Sequence, residues 1–589
     1  MATSESFWDT AQSPFNLILG TNYAPSSAEI TNIKTFLVEP QRERSRLESE
    51  ARRIQDLLEA SKGYIEAHQA LISPIRQLPS EILGEIFVWC LPMDLKYSVR
   101  SLKQAPLIFT SICRAWRSIA LSTPRLWSSL HIYLPPHLTS DVFSQRKAGI
   151  SLWLQRSRTL PLSISLHGRT NFAYDLSDSE ISESIAKERM ATFVRFLMQF
   201  SHRIMDLSLS LSIGDFLRLD ELLPSNFPIL SCLYLRSADD YEGVHGSSND
   251  GPRKISFTSL FNRMPVLRRL QIKDLTTQRI SIPTLVVNSL TSIDISQETI
   301  APTGVSVDHA QVLNLLSQMP RLQYVKLMVS LSGEEEEERL SLPIVHLNHL
   351  EEMHVTLLSG LRLGPGDEDT QITLFLEKIQ CPSLKTLSIS SYTEQITKIP
   401  FRGFPLSNLE TLELYIPLKA ETLFECLSLV PNVETLQLRT TRYRSETLFP
   451  TAGCLQDSHL VALTLSSGNP TPLCPRLRKF QYIDKMMDDS ESLSTAALTD
   501  FVESRKDTLE CCDVFFAKMP SFMDGELDRL RELKGGGMRI QVHSAKEYPL
   551  KSLDRPDVGL VPWWQNRPHV RPGGGLSDME GPYGTDIIV

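Results

Sequence analysis

The chain has 589 residues, of which 41% are hydrophobic and 22% are charged. A chain of this length is too long to fold around one compact hydrophobic core, so several domains or one elongated repeat domain are expected. The composition argues against global disorder. Its 60 basic and 69 acidic residues give a net charge of -9 without a long basic block, which disfavours nucleic acid as a partner and favours another protein.

The nine cysteines are sparse and form no C-x-x-C pair. This usage is typical of reduced thiols and indicates a cytoplasmic or nuclear protein. The first residues lack the basic and apolar regions of a secretory signal, and no apolar run is long enough to cross a bilayer. No membrane association is therefore expected.

Residues 1–41 are rich in Ser, Thr, Asn and Pro and are predicted to be a mobile leader. An amphipathic helix of the coiled-coil type is predicted over 42–73, because mostly small or apolar residues recur at alternating spacings of four and three. The seam residues are Leu47, Ala51, Ile54, Leu58, Ser61, Ile65, His68 and Ile72. This seam could pair as a coiled coil or pack on its own chain, and its polar members Ser61 and His68 favour the second interpretation.

Residues 74–130 are predicted to form a small helical module. Pro74 ends the preceding helix, because its ring cannot continue the hydrogen-bond ladder. A short helix is predicted around 80–87, with apolar residues on one face. A second helix is predicted over 105–121, and the segment 124–127 closes the module.

Residues 131–199 are interpreted as a linking region, and over 200–545 the chain repeats itself. Each copy has a helix-like segment, often a proline, and then a strand of the form Leu-x-x-Leu-x-Leu. Ten intervals over 273 residues average about 27 residues, which lies in the range of leucine-rich repeats. The first apolar anchors of the copies are Ile204, Leu230, Leu267, Leu290, Leu322, Leu350, Leu384, Leu409, Val433, Leu460 and Leu477.

Such strands must stack, because a strand with alternating leucines buries one face against its own helix and needs neighbouring repeats above and below it. The predicted fold class is therefore α/β, with an N-terminal helical module followed by a leucine-rich-repeat solenoid, or horseshoe. Helices are predicted in the intervals at 308–316 and 420–429, and the last strand at 538–542. The Pro- and Gly-rich tail, 546–589, is predicted to be disordered.

The helical module carries an ordered set of short motifs: Leu-Pro, Glu-Ile-Leu, Ile-Phe, Cys-x-x-Trp-Arg and Leu-Trp. As a set they resemble the F-box family, in the F-box-like form of the fungal type with C-terminal leucine-rich repeats. The preceding helix is similar to the one that leads into the F-box in those proteins. The matching residues are Ile75, Leu78, Pro79, Glu81, Ile82, Leu83, Ile86, Phe87, Cys113, Trp116, Arg117, Ile119, Ala120, Leu126 and Trp127.

The resemblance implies a three-helix module that packs apolar side chains into a groove on a Skp-type adaptor, which binds a cullin scaffold with a RING subunit. Each Leu or Ile buried there could contribute on the order of 1.5–3 kcal/mol. Ile112, Trp116 and Trp127 are instead expected in the core of the module. The positions expected at the adaptor interface are Leu78, Pro79, Ile82, Leu83, Ile86 and Phe87.

The sequence contains no phosphate-binding, dinucleotide-binding, serine-nucleophile or zinc-protease motif, so no enzyme activity, cofactor or metal site is predicted. His346, His349 and His354 lack a ligand spacing typical of zinc, and Glu334–Glu338 is interpreted as a solvated loop.

The predicted function is the substrate-recognition subunit of a Skp-cullin-F-box type ubiquitin ligase, whose repeats bind an unidentified protein substrate. Any ligase activity would then belong to the assembled complex, while the chain positions the substrate. The alternative is a non-catalytic leucine-rich-repeat scaffold with a vestigial F-box.

Overall fold

The fold was analysed on a computed structural model, and the chain forms two compact units, Met1–Leu83 and Gly84–Val589, whose boundary falls inside a short helix. The described residues are 10–91, 97–135, 138–168, 179–216, 218–223, 225–237, 258–273, 289–296, 307–331, 343–359, 367–391, 401, 404, 406–416, 418–439, 455–465, 472–483, 493–516, 522–523, 525–544 and 586–587.

The first unit is dominated by one helix of 45 residues, α1 (Ser27–Leu71). The prediction of a leader to residue 41 is therefore wrong from Ser27 onward. The helix begins there because Ser26 and Glu29 form a reciprocal capping box that satisfies two free backbone N–H groups. No residue of α1 is buried among the described residues, so they do not show the favoured interpretation that its seam packs on its own chain.

Three helices follow: α2 (Ser80–Trp89), α3 (Phe109–Ile112) and α4 (Arg114–Ser122), the last followed by a 3-10 turn at Pro124–Trp127. The single helix predicted over 105–121 is thus broken in two. The break lies at Cys113, whose backbone is extended and whose Sγ accepts a hydrogen bond from the Trp116 N–H at 3.4 Å, acting as the N-cap of α4.

Most of the remaining chain builds one mixed α/β assembly around a long sheet. Fourteen strands lie side by side in sequence order, each parallel to the next, and β18 joins the far end antiparallel to β17. The short strand β7 pairs with β8, and β9 pairs with β11 outside the main sheet.

The strand bounds are β1 (Ser129–Leu134), β2 (Leu162–Gly168), β3 (Ile204–Leu211), β4 (Cys232–Ser237), β5 (Arg269–Lys273), β6 (Ser292–Ser296), β7 (Val307–Asp308), β8 (Tyr324–Leu331), β9 (Val345–His346), β10 (Glu352–Ser359), β11 (Ile379–Gln380), β12 (Thr386–Ser391), β13 (Thr411–Tyr415), β14 (Thr435–Arg439), β15 (Lys479–Ile483), β16 (Cys511–Phe516), β17 (Arg539–Ser544) and β18 (Asp586–Ile587).

Among the described residues, helices occupy most of the intervals between strands, because parallel neighbours require a crossover connection. Their bounds are α5 (Ser140–Arg156), α6 (Ser179–Met198), α7 (Ile213–Phe216), α8 (Leu219–Leu222), α9 (Thr258–Asn262), α10 (His309–Ser317), α11 (Asp367–Glu377), α12 (Ala420–Ser428), α13 (Asp457–Leu463), α14 (Thr495–Ser504) and α15 (Glu526–Gly535). The helices predicted at 308–316 and 420–429 are confirmed as α10 and α12.

The core consists mainly of the alternating Leu, Ile and Val side chains of the strands, which are almost fully buried. Two predictions about the repeats need correction. The region 131–199 is not only a linker, because it contributes β2 and two helices to the same assembly, and β1 begins at Ser129. The copy anchored at Leu460 is helix α13, since β15 already occupies the place beside β14.

The last predicted strand, at 538–542, is confirmed as β17. The acidic run Glu334–Glu338 lies outside the described residues, as does the predicted disordered tail apart from β18. Within the described part of the chain, no helix combines the length and the apolar character needed to cross a membrane.

Candidate functional site

The six residues predicted to bind an adaptor divide into an exposed group and a buried group. Leu78, Pro79, Ile82 and Ile86 are exposed, and Ile82 retains 49% of its accessible surface. Leu83 and Phe87 retain only 5% and 1%. Large apolar side chains such as Ile82 and Ile86 are usually buried. Because these two are exposed to solvent, they are available to contact a partner.

Phe87 is buried because it belongs to an aromatic cluster within the second unit. Its ring stacks on Phe109 with centroids 4.2 Å apart and lies 4.8 Å from the ring of Trp116. Trp116 is half-buried, in line with the core role expected for it. Ile112 is 53% exposed, so its predicted core position is wrong: it is the last residue of the short helix α3, and about half of its surface is accessible to solvent.

Helix α2 approaches α4 closely at Gly84. A Cβ built on Gly84 would lie 3.1 Å from the Thr123 Oγ1, tighter than ordinary van der Waals contact. Beside this approach, Glu85 and Arg125 form an exposed ion pair at 2.7 Å. The close packing fixes α2, and with it the direction in which Ile86 projects.

Trp127 connects the helical module to α5. Its indole Nε1–H donates to the Ala120 carbonyl oxygen at 2.8 Å, and its ring meets Trp153 of α5 edge to face at 4.8 Å. Arg156 lies over the same ring, 4.6 Å from its centroid. The expectation that Trp127 is a core residue is confirmed, since the side chain is fully buried.

Trp89 is an exposed residue of α2 that the sequence reasoning missed. It retains 74% of its accessible surface and follows Ile82 and Ile86 at positions i, i+4 and i+7. That spacing places the three side chains on one helix face. The helical period was readable in the sequence, but it could not show which apolar face remains uncovered.

A second surface is the polar sheet face, formed by the strand residues that alternate with the buried leucines. Successive side chains on a strand point to opposite faces of the sheet, so a parallel register aligns them in rows. The middle row runs through His131, Ser165, Ser208, Tyr234, Gln271, Asp294, Lys326, His354, Ser388, Glu413, Gln437, Gln481, Asp513 and Gln541.

The first part of the polar sheet face is covered by the chain itself. The Tyr97 hydroxyl donates to Asp206 Oδ1 at 2.7 Å, and the Ser98 N–H donates to Ser129 Oγ at 3.2 Å. Burial, with the Asp206 carboxylate a lesser cause, raises the pKa of Tyr97 far above its usual value. Ser165 and Asp206 are buried beneath this segment, which leaves the later strands as the accessible part.

Charged groups of both signs meet in the middle of the polar sheet face. Asp294, Lys326 and His354 are consecutive partners across β6, β8 and β10. Tyr324 lies beside His354, with ring centroids 5.5 Å apart, and burial together with nearby carboxylates raises its pKa to about 12. Burial also lowers the pKa of His354. The mixture of donors, acceptors and aromatic rings suits recognition of a polypeptide surface.

No family model matches this sequence. No curated protein matches it either.

No group of three or more His, Cys, Asp or Glu side chains is arranged to hold a metal ion within the described ranges. His346 lies on β9 and His354 on β10, in different sheets. Cys381, Cys426 and Cys474 are buried, and burial raises the pKa of each thiol to about 12. Such thiols are protonated at neutral pH and are poor nucleophiles.

Arg505 is a buried charged residue that nothing in the sequence singled out. Its guanidinium donates to the backbone carbonyl oxygens of Leu463, Cys474 and Leu473 at 2.6, 3.0 and 2.9 Å. Burial lowers its pKa to about 10. All three acceptors are main-chain atoms, one at the end of α13 and two shortly before β15, so Arg505 joins these two stretches and has a structural role.

Proposed function

We propose that this chain is the substrate-recognition subunit of a Skp-cullin-F-box type ubiquitin ligase. The observation that carries the proposal is the exposed apolar face of α2, with Ile82, Ile86 and Trp89 at helical spacing, inside the segment that resembles the F-box. An apolar face of this kind is what a hydrophobic groove on an adaptor would cover. Leu78 and Pro79, which are also exposed, extend it toward the start of the helix.

The repeat region is proposed to be a leucine-rich-repeat solenoid. Parallel strands in strict sequence order support this, because each repeat then packs only on its neighbours. The spacing also supports it: Thr386, Thr411 and Thr435 are register partners that lie 25 and 24 residues apart along the chain. These intervals fall in the range of about 20–29 residues typical of such repeats.

The substrate is proposed to bind the later strands of the polar sheet face. The first strands are covered by the segment around Tyr97, whereas Glu352, Lys479 and Gln541 remain exposed. Exposed polar side chains on a rigid sheet can change without disturbing the core, which is how one fold can serve many protein ligands. The chain would position the substrate, and catalysis would belong to the assembled complex.

One observation favours a second candidate, a non-catalytic repeat scaffold with a vestigial F-box. Leu83 and Phe87 are buried, so two of the six expected contact residues are not available on the surface. The remaining exposed residues would then have to supply the binding energy alone. Adaptor binding therefore decides between the two candidates.

The deciding experiment measures binding of the full chain to a purified Skp-type adaptor from the same organism by calorimetry. Replacing Ile82 and Ile86 with lysine should raise the Kd at least about 100-fold, because two apolar contacts of about 1.5 kcal/mol each would be lost.

The matched control replaces Leu102 and Val461 with lysine, since both are exposed apolar residues outside α2. This variant should bind as tightly as the natural chain. If the natural chain shows no binding at about 50 μM adaptor, a level weaker than specific assemblies show, the receptor proposal fails and the scaffold candidate replaces it.

A further inference from the structure

The seam of α1 is longer in the structure than the sequence pattern suggested. Continued toward the start of the helix, alternating steps of three and four residues run without interruption from Ile30 to Ile72. Nine of the thirteen positions are Ile, Leu or Ala. The positions are Ile30, Ile33, Leu37, Pro40, Arg44, Leu47, Ala51, Ile54, Leu58, Ser61, Ile65, His68 and Ile72.

Most of this seam is exposed within the part of the chain that the structure describes. Ile54, Leu58 and Ile65 each keep more than half of their accessible surface. Leu57, Tyr64 and Leu71, which border the seam on one side, are equally exposed. A heptad pattern of apolar residues on an uncovered helix is the pattern of a coiled coil, in which each seam residue packs between four residues of a partner helix.

The available area matches what a stable pair needs. A helix of 45 residues is about 68 Å long, and a contact strip about 12 Å wide along it covers about 800 Å². Specific protein interfaces bury about 800 Å² per partner. We propose that α1 pairs with α1 of a second copy of this chain, in an antiparallel two-stranded coiled coil. The inference does not rest on the proposed ligase function.

The charges favour the antiparallel orientation over a parallel one. In a parallel, in-register pair Arg44 would meet Arg44 of the second copy inside the seam, and Glu43 would face Glu48 of the second copy across it. Both contacts place like charges together, which is destabilising. A parallel pair therefore carries repulsion in its central part.

The antiparallel register centred between Arg52 and Arg53 avoids these contacts. Its core layers place Leu47 against Leu58, Ala51 against Ile54 and Arg44 against Ser61 of the second copy. Large residues thus meet each other near the centre, the small Ala51 meets a large one, and the polar residues meet. Because the pairing is two-fold symmetric, every such layer occurs twice.

The flanking positions agree with the same register. One side brings Lys34 near Gln69, Gln41 near Lys62 and Glu48 near Gln55 of the second copy, with no like-charge pair. A shift of one heptad in one direction would bring Lys34 near Lys62 of the second copy and would place Arg44 against Ile54. A shift in the other direction would place Arg44 against His68 and the small Ala51 against Ser61. The centred register is therefore the one that places Arg44 opposite a small polar residue, fills the central layers with larger apolar side chains and avoids like-charge flanking pairs.

Self-association is tested on the full chain by size-exclusion chromatography with light scattering. The natural chain of 66.6 kDa should elute with twice that mass. Replacing Ile54 and Leu58 with glutamate should yield the monomer mass, because two charges would enter the seam of each helix. Replacing Thr35 and Ser49 with glutamate adds the same charge to the opposite face of α1 and should leave the dimer intact.

Orientation is tested by disulfide formation between two single variants, Leu47→Cys and Leu58→Cys, mixed after separate purification. Mass spectrometry of the mixture should find the two new cysteines linked to each other. Each variant alone should give little linkage of its cysteine to its own counterpart. A monomeric natural chain, a mass above two copies, or efficient self-linkage within each single variant would overturn the proposal.

Discussion

His354 is the residue whose charge state most directly links folding to pH on the polar sheet face. Burial, the largest cause, and the neighbouring Lys326 lower its pKa, while Glu413, Glu352 and Asp294 act in the opposite sense with smaller net effect. The folded chain therefore disfavours the protonated ring. A histidine whose pKa is lowered by folding has no effect on stability at pH values above its unfolded pKa, near 6.5. As the pH falls below that value, the unfolded state binds the proton more readily and the folded state loses stability.

The expected result is a steeper loss of stability on acidification in the natural chain than in the variant His354→Gln. Urea unfolding midpoints at about pH 7.5 and about pH 5.5 measure this, because the unfolded state binds the proton more readily in that window. The control His202→Gln replaces an exposed histidine and should leave the pH dependence of the natural chain unchanged. Equal slopes for His354→Gln and the natural chain would contradict the assignment.

The sequence motifs predicted where the helices of the module lie, but not which of their apolar side chains are buried. The order of Leu, Pro, Ile and Phe predicted a helical module in this segment, yet Leu83 is buried and Ile112 is exposed. Local periodicity does not contain the contacts that decide this. Arg505 is the extreme case, because its carbonyl partners lie 31 to 42 residues away along the chain. No short window of sequence joins those groups.

At the scale of elements, the approach of α2 to α4 depends on the absence of a side chain at Gly84. The nearest atoms to a Cβ there are Thr123 Oγ1 at 3.1 Å and Ile119 Cγ2 at 3.9 Å. Gly84→Val should therefore destabilise the module by about 1–3 kcal/mol, the usual cost of overpacking a tight contact. The loss of stability is measured as a lower urea unfolding midpoint and as faster amide hydrogen exchange in α4.

The control Glu81→Val introduces the same β-branched residue at an exposed position of the same helix. Its cost should stay within a few tenths of a kcal/mol, the difference expected from helix propensity alone. If both variants unfold at the same urea concentration, the close approach of α2 and α4 contributes nothing to stability.

The elements with a strong period were predicted well, and the misses have physical causes. Strands β4, β5, β8, β12, β13, β14 and β15 each follow a predicted anchor. The start of α1 was missed because its capping residues Ser26 and Glu29 lie among turn-forming residues. The segment at Leu460 alternates like a strand, but Gln456 and His459 form a reciprocal cap that begins a helix there.

At the scale of the whole molecule, the fourteen parallel strands of the described sheet follow one another in chain order, and each inner strand pairs with the strand before it and the strand after it in that order. Leu130, Ile164 and Leu207 are consecutive register partners at one end, and Cys512 and Ile540 are partners at the other. Stability in such an array is approximately a sum of repeat terms and nearest-neighbour terms. A destabilising substitution at one end of the sheet should therefore lower the stability of the strands near that end only.

Two matched substitutions test this locality. Ile164 of β2 and Ile540 of β17 are both almost fully buried, and replacing either with alanine should cost about 2–5 kcal/mol locally. Hydrogen exchange should then rise in β16 and β17 for Ile540→Ala while β1 to β3 keep the protection of the natural chain, and Ile164→Ala should give the converse. Because the two changes remove the same atoms, each variant controls for the other. Uniform loss of protection along the whole sheet in either variant would mean that the array unfolds as one cooperative body, and the nearest-neighbour account would then be wrong.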